Sequence, residues 1–337
     1  MSASRRTARS LFTLLILVAI SFELNAAGAA ARQDSAASAR QVESQAASTP
    51  REFIVTVTDM KGSFVGGLVR GSFTASDGKG RREIVSLGSA DVPSAVYILI
   101  DTSGSIFGDE RPAWRAARVQ EIKTALTTFL ENSNPGDEYF VTAFNQRPQI
   151  LLEGSTEPSA VLATLDRLAA ASLKGQTALY DALYLALNRL ARAERAKRVV
   201  LLLSDGQDNV SAYTLPELRR ALRESDALVY TVATRNSPDD SFLAHTGYGI
   251  LDELAKTSGG VSYYPRDGKQ LSAVMAGIAA ELRSQYRIAV APAADARGDG
   301  STQLKFKLGE IRDARGKKIK AELRAREAFY GGTLPPK

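Results

Sequence analysis

The sequence predicts an α/β protein with a central, mostly parallel sheet flanked by helices, and with smaller β segments before and after it. Three observations carry this reading. Val96–Asp101 is a continuous apolar run that breaks into Asp-Thr-Ser-Gly-Ser, as a buried parallel strand feeding a polar loop would. Val199–Leu203 does the same, ending in Ser204-Asp205-Gly206. Between Val96 and about Tyr286, strand and helix patterns alternate, the mark of a sheet covered on both faces.

The chain begins with Arg5, Arg6 and Arg9 ahead of an apolar run from Leu11 to Phe22 and an Ala-rich stretch. This reads as a secretory signal peptide over residues 1–31, too short in its apolar part to span a membrane comfortably. Residues 32–50 lack periodicity and read as a flexible linker. Residues 51–92 form a β segment: Phe53, Val55 and Val57 alternate with polar or branched neighbours, and turn clusters follow at Asp59–Gly62 and Ser76–Gly80.

The α/β domain is expected over residues 94–286. Ile122, Ala125, Leu126 and Phe129 recur on one face of its first long helix, and Leu179, Leu183, Leu187 and Leu190 on another. Tyr139–Phe144 and Gln149–Leu152 read as an edge hairpin. Leu251–Thr257 reads as a short helix, with His245 in the loop before it. Residues 287–330 turn β again, and residues 331–337 read as a tail. Neither β segment is large enough to bury its own core. Together they suit one composite immunoglobulin-like sandwich beside the α/β domain.

Composition narrows the functions. The chain has 337 residues, and 44% hydrophobic with 24% charged residues is ordinary for a globular protein. With no cysteine it has neither disulfides nor a lipoprotein anchor, so its stability must come from its core. The formal charge of +6 says little about partners. One histidine, His245, excludes a His-pair zinc site. No serine sits in a Gly-x-Ser-x-Gly elbow, and no glycine-rich phosphate loop follows a strand.

The strand-end loops carry the chemistry. Asp101, Ser103 and Ser105 place one carboxylate and two hydroxyls at alternate positions, at the carboxyl end of a central strand, where open α/β sheets bind ligands. Thr177 stands just before a helix, and Asp205 ends the second apolar strand. Hard oxygens gathered this way suit Mg²⁺ or Mn²⁺, with Ca²⁺ as the other candidate. Asp181 reads as a favourable acid at a helix start, and Asp208 and Asn209 as residues that fix a turn.

The order Asp101-x-Ser103-x-Ser105, Thr177, Asp205 resembles the metal-ion-dependent adhesion site of von Willebrand factor A (vWA) domains, with all five positions present. The resemblance implies a Rossmann-like vWA fold, with Ser103, Ser105 and Thr177 as direct or near-direct ligands and Asp101 and Asp205 holding the ion, often through water. The lead-in Val55-Thr-Val-Thr-Asp-Met-Lys-Gly and the closing Leu282-Arg-Ser-Gln-Tyr286 are similar to those of acidobacterial vWA-domain proteins of bacterial envelopes. Ser76-Asp77-Gly78 stands where that family often has Glu-Asp-Gly.

The expectation is a secreted or periplasmic, non-catalytic binding module whose metal captures an Asp or Glu carboxylate of a protein partner. The alternatives are an envelope scaffold with a merely stabilising metal, and a metal-dependent hydrolase. Lys305, Lys307, Lys318, Lys320, Arg324 and Arg326 form a basic face if their strands pair. Such a face is usually solvated, and would otherwise give weak contact with an anionic surface. Nucleic acid does not fit an exported chain without stacking aromatics on those strands.

Overall fold

Val96–Asp101 lies in the middle strand of a six-stranded sheet. The computed structural model describes residues 50–77, 80–107, 112–170, 175–234, 242–291, 301–302, 304–312, 315–326 and 329–330. The signal peptide, linker and tail expected at the termini lie outside these residues. The elements that follow belong to one unit made of residues 51–290 and 297–337.

The central sheet is built from β5 (Ser94–Asp101), β6 (Glu138–Phe144), β7 (Pro148–Ser155), β8 (Lys197–Ser204), β9 (Leu228–Ala233) and β10 (Ser262–Tyr263), in the order β10-β9-β8-β5-β6-β7. Every pairing is parallel except β6 with β7, the expected edge hairpin. All eight residues of β5 are buried, which explains its unbroken apolar run. Val96, Ile98 and Ile100 face one core with α2 (Pro112–Asn132), α3 (Pro158–Ala170) and α7 (Gly268–Ser284). Tyr97 and Leu99 face the other, with α4 (Leu179–Leu190), α5 (Leu215–Glu224) and α6 (Phe242–Ser258). The chain leaves β5 for β6 on one side and returns to β8 on the other. The carboxyl ends of β5 and β8 therefore flank the topological switch point.

One expectation inside this domain is corrected. His245 lies within α6, not in a loop, because the helix starts at Phe242. Gly247 and Gly249 hide that start, since glycine interrupts a helical pattern read from sequence. The C-terminal β pattern that begins at Tyr286 is β11 (Tyr286–Val290), in the flanking β layer.

The two β segments interleave. β1 (Arg51–Asp59) pairs with β11 and with β16 (Ala321–Ala325), and β4 (Ile84–Ser89) completes the sheet on the far side of β11. β2 (Phe73–Asp77) joins β3 (Gly80–Arg82) to β13 (Lys305–Leu308) in a second sheet, and two short ladders pair β12 (Ser301–Thr302) with β17 (Phe329–Tyr330) and β14 (Ile311–Arg312) with β15 (Lys318–Ile319). Phe53, Val55, Val57, Phe73, Ile288 and Val290 form their shared core. Ring contacts cross it, Phe53 to Phe306 at 5.4 Å and Phe73 to Tyr286 at 5.6 Å. Neither segment supplies a complete sheet alone, which is why the pairing joins residues more than 200 positions apart.

The expected basic face does not form. β13 pairs with β2, β15 with β14 and β16 with β1, so Lys305 and Lys307, Lys318, and Arg324 lie on three different sheets. Lys305, Lys307, Lys318 and Lys320 are exposed, whereas Arg326 is 7% exposed. The first sheet turns its other face to the α/β domain, and there Thr56 and Arg326 are enclosed and Arg324 is partly covered. Glu281 of α7, 4% exposed, gathers this junction. It pairs with Arg324 and accepts from Tyr230 Oη at 2.5 Å, Thr56 Oγ1 at 3.2 Å and Gln285 Nε2 at 3.3 Å. Arg326 donates to the carbonyls of Ser225, Leu222 and Ala227, at the end of α5 and the entry to β9.

Lys197, at the start of β8, is also enclosed. Burial pulls it from 10.5 down to about 8, against Asp137, Asp91 and Glu281, which pull it up. Between about pH 8 and 10 the unfolded chain therefore holds a proton here that the folded chain does not, so this residue should make stability rise with pH. Above 10 the buried Tyr139 and the half-buried Tyr263, both pushed up to about 12, act in the opposite sense. Denaturant titrations from pH 7.5 to 10 should show the rise in wild type and lose it in Lys197→Met. An identical pH profile for the two proteins would refute the assignment.

Candidate metal centre

The carboxyl ends of β5 and β8 hold two carboxylates within the molecule, each only 1% exposed: Asp101 and Asp205. Asp101 closes β5. Its Oδ1 accepts the backbone N–H of Ser103 at 2.9 Å, and its Oδ2 accepts the Ser204 hydroxyl at 2.6 Å. Asp205 follows β8. Its Oδ1 accepts the N–H of Gln207 at 3.1 Å, whereas its Oδ2 is buried and has no hydrogen-bond partner. Burial, and after it the Asp205 carboxylate, push Asp101 up to about 7. Two enclosed carboxylates that act on one another, one with an orphaned oxygen, leave a deficit that a cation answers.

Ser103, 1% exposed, sits in the turn between β5 and the short helix α1 (Gly104–Phe107). Ser105 lies in that helix, and its side chain is outside the described residues. Thr177, 3% exposed, is held on both sides by Asn209: its N–H donates to Asn209 Oδ1 at 2.8 Å, and its carbonyl accepts the N–H of Asn209 at 3.0 Å. The loops lean on one another through backbone. Gly104 N donates to Gly175 O at 3.1 Å, Thr102 N to Phe144 O at 2.7 Å, and Ala178 N to Asn145 O at 2.7 Å. The structure thus brings Asp101, Ser103, Thr177 and Asp205 to the switch point, with the backbone of Ser105 beside them.

Among the described residues no group of three or more His, Cys, Asp or Glu side chains could hold a metal. A site here must draw on hydroxyl oxygens, and serine and threonine beside two carboxylates are the donor set of a hard cation. The residues present fit such an ion.

Asp181 does more than complement a helix start. Its carboxylate accepts the N–H groups of Ala212 at 3.1 Å and Tyr213 at 2.9 Å, while Asp181 N donates to Ser211 Oγ at 3.2 Å. Asp208 accepts the N–H of Tyr180 at 3.1 Å. Tyr184 stacks on Tyr213 with centroids 3.8 Å apart. The segment Gln207–Tyr213 is thereby fastened to the first turns of α4.

Two contributors are not evident from sequence. Ser204 bridges the two strand ends, donating to Asp101 and accepting Gly206 N at 3.1 Å. Its place next to Asp205 was the available signal. Gly247 has none: it lies in α6, where a Cβ would stand 2.3 Å from the carbonyl oxygen of Asp205. Gly206, with φ +81°, meets it from the other side, and a Cβ there would stand 2.1 Å from Gly247 O.

A doubly covered parallel sheet with an oxygen-rich site at its switch point defines an open α/β domain of the ligand-binding kind. The family model for the von Willebrand factor type A domain matches residues 96–207, which span β5 to the Asp205 loop. Over those residues the chain carries a von Willebrand factor type A domain. Among solved structures, the BatB protein of Bacteroides thetaiotaomicron is 17% identical, with a TM-score of 0.42 over 56% of this chain and 98% of its own. The vWF domain of the type V pilus tip protein Mfa5 from Porphyromonas gingivalis is 13% identical, with a TM-score of 0.42 over 56% and 94%. Proximal thread matrix protein 1 from the mussel byssus, with a zinc-occupied MIDAS motif, is 19% identical, with a TM-score of 0.45 over 61% and 49%. The search of curated proteins finds no match. No helix among the described residues is long and apolar enough to cross a membrane.

Proposed function

We propose that this is an exported, non-catalytic binding module that uses a divalent cation, Mg²⁺ or Mn²⁺, to capture an Asp or Glu carboxylate of a protein partner. The observation that carries it is the buried, unpartnered Oδ2 of Asp205 beside the equally buried Asp101. On this reading Asp101 and Asp205 hold the ion, and Ser103, Ser105 and Thr177 bring their hydroxyls to it. The bound ion supplies Lewis acidity toward an oxygen anion from outside, since two carboxylates do not exhaust the oxygen ligands such a cation accepts. The segment Gln207–Tyr213, fastened to α4, supplies side chains that discriminate between partners, because one metal–carboxylate contact cannot. The β layer, read as an immunoglobulin-like sandwich, carries the domain at the end of the sheet away from the ion.

Calorimetric titration should show one Mg²⁺ or Mn²⁺ site in wild type and none in Asp101→Ala, with both proteins folded. Partner capture from the native envelope should vanish in EDTA, return with Mg²⁺ or Mn²⁺, and fail for Thr177→Ala. Equal ion binding by wild type and Asp101→Ala would remove the site. Capture of the same partner by Thr177→Ala in EDTA would leave only a scaffold role.

A further inference from the structure

At the other end of β8, where the first flanking sheet meets the α/β domain, lies a cavity of about 270 Å³. Ile54, Val92 and Leu228 give it apolar walls, and Lys197, Arg198, Arg287 and Arg326 line it against only two carboxylates, Glu52 and Asp226. Those carboxylates are engaged. Asp226 pairs with Arg198 at 2.5 Å, and Glu52 lies 3.6 Å from Arg287.

Lys197 and Arg326 have carbonyl partners instead. Lys197 Nζ donates to Ala90 O at 2.9 Å and to Leu282 O, and Arg326 to the three carbonyls at the end of α5 and entry to β9. Their residues are 4% and 7% exposed. Carbonyl dipoles satisfy N–H groups without cancelling charge; Asp137, Asp91 and Glu281 act on Lys197 and Asp226 on Arg326 through space, yet burial outweighs them, so these enclosed cations are only partly compensated. Burial pulls Lys197 down to about 8 and Arg326 to about 10, as expected when compensation is incomplete. Water entering the cavity would bring hydrogen bonds but no charge.

We infer that the cavity binds a small organic carboxylate, its charge directed to Lys197 and Arg326 and its short apolar body against Ile54, Val92 and Leu228. The volume falls just below the roughly 300–1,000 Å³ that drug-sized ligands occupy, which suits an acid of a few carbons. An ammonium has three donors and Lys197 has already committed two, so a carboxylate fits the remaining capacity better than a phosphate. The inference does not rest on the metal assignment, since Lys197 opens the strand that Ser204 closes.

The test is thermal unfolding and calorimetry of the full exported chain with acetate, butyrate, hexanoate and benzoate at constant ionic strength and pH 7, with inorganic phosphate as control. A saturable rise in melting temperature is expected for butyrate, hexanoate or benzoate, larger than for acetate or phosphate and unchanged by EDTA. Arg287→Gln, a half-buried rim change that frees the Glu52 carboxylate, should weaken binding about tenfold while the protein stays folded. Lys197→Met, if it folds, should abolish it. No saturable shift with any of the acids, a phosphate effect equal to theirs, or equal affinity in wild type and Arg287→Gln would overturn the inference.

Discussion

Replacing Glu281 by alanine should cost the fold about 3–5 kcal/mol, the range for removing one partner of a buried ion pair. The Glu281 side chain is 5% exposed and serves four groups: the Arg324 guanidinium, the Tyr230 and Thr56 hydroxyls and the Gln285 amide. Without it a partly buried guanidinium is stranded, and Tyr230 loses the acceptor of its hydroxyl. Replacing both charges, Glu281→Leu with Arg324→Met, should recover most of the loss, because the penalty comes from the uncompensated charge more than from the missing attraction. Urea denaturation of the three variants checks this. A loss below about 1 kcal/mol in Glu281→Ala would mean that water reaches the junction. Because the network ties α7 to β1 and β16, the β layer and the α/β domain should unfold in a single transition.

Gly247→Ala should destabilise the protein by roughly 1–3 kcal/mol and weaken divalent-ion binding as well. In an ordinary helix interior this change is favourable by about 0.5–1 kcal/mol. Here the new Cβ would stand 2.3 Å from the Asp205 carbonyl, against backbone that cannot rotate away. Either α6 lifts off the metal loop or the loop moves, and Asp205 moves with it. Gly249→Ala is the control: the same substitution two residues on, with nothing within 4 Å of its Cβ, should leave stability equal or higher. Equal effects of the two substitutions, measured by denaturation and ion calorimetry, would show that the close approach is unimportant.

Much of the fold was legible because its strands are extreme. A run such as Val199–Leu203, buried on both faces, has few alternatives to a central parallel strand, and its polar ending marks the ligand edge. Asp101, Ser103, Thr177 and Asp205 could be selected for the same reason, as polar residues set where apolar strands stop. In the sequence Asn209 looks like a turn residue and no more, and only the structure shows that its turn is the one that clamps Thr177.

By itself the sequence determined the central strands and most of the helices, the start of α6 excepted, where the site loops begin, and that two incomplete β segments needed partners. Tertiary structure alone decided what faces what. Arg324 and Arg326 alternate with apolar neighbours as solvated residues do, yet Arg326 is buried against α5 and the entry to β9, and Arg324 is half-covered through its pairing with Glu281 of α7. Ser204 became the bridge to Asp101 and Gly247 the seat of the Asp205 loop only because β5, β8 and α6 converge there. Periodicity is a property of a few consecutive residues, so it survives in the sequence. Whether an outward face meets solvent or another element depends on contacts over 100 or more positions, as between Ser204 and Asp101 or Arg326 and Leu222, and no local pattern records them.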